Sequence, residues 1–212
     1  MKAKYSFGVF LILFFVFGLS VTVYAENIDP DEDGSQYCYG ENIGWVNFEP
    51  SCSDPQAGAQ VGGDKVVGFV WAENIGWINL FPSNYGGVYN DGAGNLSGYA
   101  WSENVGWINF DPVVAGDSTD YGVKIDSEGN FSGWAWGENV GWLNFNSGDL
   151  YGQGVKVCKV NYYDLANFSG QWLFDGPGWS ADLSSDEDVD FQDYSIFSSY
   201  WGGYCPAEWQ LK

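Results

Sequence analysis

The stretch YGENIGWVNF that starts at Tyr39 returns three times, as WAENIGWINL from Trp71, WSENVGWINF from Trp101 and WGENVGWLNF from Trp136. Such a repeat narrows the fold more than any other feature of the chain. Each copy must be one supersecondary unit that buries its apolar face against its neighbours. The shared glutamates, Glu41, Glu73, Glu103 and Glu138, recur every 30 to 35 residues.

Within a copy, Gly98-Tyr99-Ala100-Trp101 alternates small residues with large rings, the period of a strand. Glu103-Asn104 supplies a turn, with Asn suited to a left-handed backbone, and Gly106 a bulge. Trp107-Ile108-Asn109-Phe110 returns as the second strand. A further strand precedes the hairpin at residues 85–89 and again at residues 121–126. The expected class is therefore mainly β. It consists of antiparallel three-stranded meander repeats over residues 37–152, stacked so that their aromatic faces bury one another. The tryptophans then read chiefly as core. Left exposed, Trp77, Trp107 and Trp142 would be the platform for a ligand. The four repeat glutamates read as turn residues spread along an array, because glycosidase carboxylates must face one bond about 5–9 Å apart.

The chain has 212 residues, 28 Asp and Glu against seven Lys, no Arg and no His. A formal charge of −21 repels phosphate backbones, so nucleic acid is excluded as a partner. Without His, neither Ser-His-Asp catalysis nor an imidazole metal site can be built. Asp111, Asp117 and Asp120 sit in an irregular loop and are the only loose carboxylate candidates for chemistry.

Lys2 and Lys4 precede an apolar run from Phe7 to Val23 that ends Val23-Tyr24-Ala25. Residues 1–25 thus read as a cleaved secretory signal peptide, and a retained anchor is the alternative. Nothing later in the sequence is apolar enough to span a membrane. Residues 26–36 form an acidic leader. Export permits disulfides among Cys38, Cys52, Cys158 and Cys205, which allow three pairings. The local pairing, Cys38 with Cys52 and Cys158 with Cys205, keeps each bridge inside one domain and is the expected one. Cys38 with Cys52 would cap the first hairpin, worth about 3 kcal/mol.

After Gly152 glycine thins and two related stretches appear 29 residues apart. Residues 160–168 (VNYYDLANF) lead to Gln171-Trp172, and residues 189–197 (VDFQDYSIF) to Tyr200-Trp201. The second is preceded by DLSSDED at residues 182–188, with oxygen groups at alternate positions. A tight loop with that spacing supplies the oxygen ligands that Ca²⁺ demands.

Residues 153–212 form a second domain, which over residues 153–205 resembles a dockerin, the small module of two loop-helix calcium repeats on exported bacterial proteins. The ENxGW copies resemble aromatic repeats of unassigned function in such proteins. The dockerin likeness implies a small α-helical domain with one Ca²⁺ ion. In its register Asp182, Ser184 and Asp186 offer side chains, Asp188 a carbonyl, Asp190 a water-mediated contact and Asp193 the closing carboxylate. Glu187 stands where that family has a turn glycine. The first loop, residues 153–158, has lost its carboxylates, and its likeness to residues 121–125 makes it the last strand of the repeat domain. A cohesin-like protein is the implied partner through residues 153–205, although Tyr162, Tyr163, Phe191 and Gln192 replace the usual small hydroxyl residues at the docking positions.

The sequence thus reads as a secreted, non-catalytic repeat protein with a calcium-dependent attachment module, acting at the cell surface or on an extracellular scaffold. The alternative is a carbohydrate-binding component of a polysaccharide-degrading system, with an extracellular glycan as ligand.

Overall fold

The computed structural model describes residues 27–52, 54, 56–146, 152–206 and 209–211. The expected signal peptide lies outside them. No helix among the described residues is long and apolar enough to cross a membrane.

Each ENxGW copy is a β-hairpin. The hairpins pair β1 (Tyr37–Gly40) with β2 (Gly44–Asn47), β4 (Lys65–Ala72) with β5 (Gly76–Asn79), β7 (Leu96–Ser102) with β8 (Gly106–Asn109), and β11 (Trp134–Gly137) with β12 (Gly141–Asn144). Glu, Asn and the following Ile or Val form a three-residue loop. The next residue is in the left-handed region, with φ of 75°, 78°, 86° and 74° at Gly44, Gly76, Gly106 and Gly141. Only glycine takes that conformation without strain, so the left-handed position falls on the motif Gly rather than on the Asn.

The hairpins do not stack as an array. Their edges join in the order β2-β1-β12-β11-β8-β7-β5-β4, and β4 pairs back onto β2, closing an eight-stranded antiparallel barrel. Closure leaves this ring no free edge. Short strands widen the base: β3 (Gly58–Val61) pairs with β4, and β6 (Gly87–Asn90) lies between β4 and β7. The pair β9 (Lys124–Ile125) and β10 (Phe131–Ser132) continues the same tier.

The acidic leader and the supposed first loop of the C-terminal module complete this tier. Val155 bridges to Gln36, Val157 to Ile28 and Lys156 to Asn130. The Asn27 amide then stands in for a strand, accepting from Val61 N–H and donating to Val61 C=O, both at 2.9 Å. The two ends of the repeat region are thereby fastened to each other.

The two faces of the hairpins are the reverse of a stacked array. The small residues face inward: Cys38, Val70, Ala100 and Ala135 lie opposite Val46, Ile78, Ile108 and Leu143, all buried. Phe48, Leu80, Phe110 and Phe145 fill the next layer. Eight strands leave an interior just wide enough for side chains, and alternating small with large fills it. The tryptophans of the hairpins therefore lie on the outside, paired edge to face across the strands, as in Trp71 with Trp77 at 5.0 Å and Trp101 with Trp107 at 4.6 Å.

The disulfide Cys158–Cys205 is present, with Cα atoms 5.3 Å apart. Its closed span of 47 residues corresponds to about 4 kcal/mol of chain-entropy stabilisation. The expected bridge of Cys38 with Cys52 is absent. Cys38 points into the barrel as one of its small residues, while Cys52 is exposed on the connection beyond β2.

A second core, separate from the barrel's, gathers Val160, Phe168, Ala181, Val189, Phe197 and Trp209. It lies around α1 (Tyr162–Gly170) and α2 (Phe191–Tyr200), whose Phe168 and Phe197 rings stack at 5.1 Å. Tyr204 packs on the barrel core, and its hydroxyl accepts from the Asn90 amide at 2.9 Å.

Candidate functional site

Each helix of the C-terminal unit opens in the same way. Asn161 caps α1 and Asp190 caps α2, and in each the carboxylate three residues on, Asp164 or Asp193, accepts the cap residue's own N–H. This reciprocal pair satisfies donors that a helix start leaves orphaned. The Asp190 carboxylate also accepts Gln192 N–H at 2.7 Å through one of its oxygens, the N-cap bond of α2.

Asp182, Asp186 and Asp193 bring carboxylate oxygens within 4.8 Å of one another. The loop folds around Asp182, whose two oxygens accept Asp186 N–H and Glu187 N–H at 3.1 and 3.0 Å. Ser185 and Glu187 are left-handed, at φ 61° and 74°, so Glu187 makes the sharp turn despite its Cβ. Burial works to raise the Asp193 pKa, but backbone donors at Asp190 and Ser184 outweigh it and hold the carboxyl below its ordinary value. The Ser184 hydroxyl is close enough to contribute, yet its buried Oγ has no partner in hydrogen-bonding geometry. Asp188 shifts the other way. Partial desolvation and the charges of Asp175, Asp186, Asp190 and Asp182 raise its pKa. Three hard carboxylates, a serine Oγ without a partner and this crowding of negative charge suit a hard dication.

One related turn escaped the sequence reading. In the leader, Asp29 accepts Asp33 N–H and Gly34 N–H at 3.0 and 2.9 Å, the pattern Asp182 makes with its own loop. Here Lys156 meets the charge by pairing with Asp31. Asp29, Asp31 and Asp33 followed by Gly34 are the signal that marks it.

On the barrel, both Asn positions of the motif have structural posts. The Asn104 amide donates to Ile75 C=O of the neighbouring hairpin at 2.8 Å, Asn139 to Val105 at 3.0 Å, and Asn42 to Val140 at 3.1 Å. Asn74 makes the fourth link through its backbone N–H to Ile43 C=O. The second Asn of the motif ends each hairpin, with Asn47, Asn79, Asn109 and Asn144 each accepting the N–H two residues on. The glutamates are exposed, and Glu73 alone among the described hairpin turns accepts a backbone donor, Trp45 N–H at 3.1 Å.

Between adjacent hairpins the outer surface is grooved. One groove, of about 620 Å³, runs between Trp71 and Trp77 on one side and Trp101, Glu103 and Asn104 on the other. The next, of about 790 Å³, has Tyr99, Trp101 and Trp107 facing Trp136, Glu138 and Asn139. Of the three platform rings expected from sequence, Trp77 and Trp107 are open, 39% and 40% exposed. Trp142 is covered by Tyr121 at 5.1 Å.

Two of the three loop carboxylates, Asp117 and Asp120, are held in the ionised form. Asp117 is driven down to about 2 by hydrogen bonds from Thr119 and then Tyr121, and Asp120 is lowered by Lys124. A general acid needs the opposite shift. The chain matches no family model, no curated protein and no solved structure.

Proposed function

We propose that this chain is an exported, non-catalytic scaffold whose C-terminal loop-helix pair binds one calcium ion and attaches the barrel to a partner protein. The observation that carries the reading is the convergence of Asp182, Asp186 and Asp193 in a tight loop just before α2, beside the buried Ser184 Oγ. The ion would be held by those three carboxylates and would neutralise the charge crowded around Asp188.

The attachment surface is the exposed aromatic set at the two helix starts, which lie at opposite ends of an antiparallel pair: Tyr162 meets Trp201 and Phe191 meets Trp172, each at 5.1 Å. Tyr162, Tyr163 and Phe191 are 78%, 83% and 76% exposed, bare rings that suit a protein partner such as a cohesin-like receptor. Export is supported by residues 1–25 and by the Cys158–Cys205 bridge, which persists in oxidising compartments.

Calorimetric titration of the full chain with Ca²⁺ tests the reading. One site is expected, lost in Asp182→Ala while the barrel's aromatic circular dichroism is kept. No heat in the native chain, or an unchanged site in Asp182→Ala, overturns it.

A further inference from the structure

The two barrel grooves repeat one construction at adjacent hairpins, and Trp101 lines both. They are adjacent, with Trp101 as their shared wall, and together make a track of two positions. Neighbouring hairpins are two strands apart, about 10 Å at the backbone, close to the length of a disaccharide in an extended glycan.

The track's chemistry is equally selective. Its walls are tryptophan and tyrosine faces, and its rim carries Glu103 and Glu138, carboxylates that accept but cannot donate. Asn79 and Asn109 also line it, with their Oδ1 atoms already taken by Phe81 and Asp111 N–H, so their amide nitrogens remain as donors. No cation among the described residues lines either groove, and the whole chain has no Arg. A polyanion would be repelled. A peptide added as a strand would find no edge, since the hairpin ring is closed. The ligand that fits has apolar ring faces, hydroxyl donors around its perimeter, no negative charge and a repeating unit.

We infer that the track formed by Trp71, Trp77, Trp101, Trp107 and Trp136 binds an extended neutral polysaccharide. Its sugar faces stack on the rings, and its hydroxyls bond to the turn carboxylates Glu103 and Glu138 and to the Asn79 and Asn109 amides. Two of the four inter-hairpin positions are open, those of hairpins two with three and three with four. Tyr121 lies over Trp142 at a third, and Glu73 bonds back to Trp45 N–H at the fourth.

The test uses the full chain with soluble β-linked gluco-, xylo- and manno-oligosaccharides, read by tryptophan fluorescence, and pull-down on the matching insoluble polymers. Saturable quenching by at least one neutral series is expected, tightening from disaccharide to tetrasaccharide as the second groove fills. Trp107→Ala is expected to weaken it at least tenfold. Because that ring packs against Trp101, the exposed pair Glu103→Gln with Glu138→Gln serves as the second variant and should weaken binding at least fivefold without changing the thermal midpoint. Overturning results are silence across all neutral series, unchanged binding in both variants, or capture only by chitosan, an acidic polymer or a lysine-rich peptide. Repeating the titration in a calcium chelator separates this from the attachment reading, because the barrel track should bind equally well without the metal.

Discussion

The Trp209 indole N–H donates to Asp164 Oδ1 at 2.7 Å, in the place where Asp193 Oδ1 receives Ser184 N–H at 2.8 Å. The two loop-helix units thus keep the same carboxylate in the same job, but the first has a tail residue where the second has its loop. Residues 155–157 bridge to Gln36, Asn130 and Ile28 in the barrel, and Asp164 takes its second donor from Trp209 instead of from a preceding loop.

Trp209→Phe keeps an aromatic ring in the second core but leaves Asp164, which is buried, without that donor. Losing a hydrogen bond to a charged group is expected to cost about 2–3 kcal/mol. Urea unfolding should show the loss, and an unchanged midpoint would mean that this bond contributes nothing.

Asn27 is the fastening of the barrel's lower ring. Its amide pairs with both polar groups of Val61 and also reaches Cys205 C=O at 3.3 Å. Asn27→Ala would strand a buried donor and acceptor and is expected to cost about 3 kcal/mol. Asn104→Ala removes one exposed clasp between hairpins and is expected to cost under about 1 kcal/mol. Equal losses in denaturant titration would contradict this ranking.

The hairpins were legible because strand period, turn Glu-Asn and motif Gly are local signals. Ring closure was not. It depends on Asn42 reaching Val140 and on Val155 and Val157 meeting the leader, contacts between the two ends of the repeat region that no window contains. The orientation of the tryptophans was misjudged for the same reason. Alternation shows that Tyr99 and Trp101 share one face, but only closure makes the Ala100 side the inner one. In the acidic loop, Asp182 and Asp186 fall in the alternating pattern of the sequence, and the fold brings Asp193 within 4.8 Å of both. Asp190 caps α2 through one of its oxygens, a role the sequence signals through Asp190 and Asp193.

Glu187 takes a left-handed backbone, φ 74°, in a loop already crowded with carboxylates. Glu187→Gly removes a Cβ penalty of about 1 kcal/mol and one negative charge. The metal-free chain is expected to unfold later in a thermal scan by an amount of that order. A lower midpoint would mean that the Glu187 side chain holds the loop.

Asp117 is held down to about 2 by Thr119 and Tyr121. Its folded pKa lies below the ordinary value, so its contribution is complete above about pH 4 and disappears as pH falls through about 2. Tyr121→Phe keeps the ring over Trp142 but removes the hydroxyl that reaches Asp117 at 2.7 Å. The Asp117 carboxyl resonance in an NMR pH titration is therefore expected to titrate at a higher pH in the variant. An unmoved midpoint would assign the shift to Thr119 alone.

Cys38 and Cys52 remain as free thiols in very different surroundings. Burial at the barrel centre pushes the Cys38 pKa up, so its reactive thiolate is suppressed as well as shielded. Cys52 is exposed. A thiol reagent on the folded chain should modify one cysteine quickly, identified as Cys52 by peptide mass, and a second only in denaturant. Cys38→Ala, which reproduces the inner residue of the third and fourth hairpins, should keep the fold and abolish the slow phase. If both thiols resist the reagent even in denaturant until a reductant is added, the two cysteines are bridged and the inward position of Cys38 is wrong.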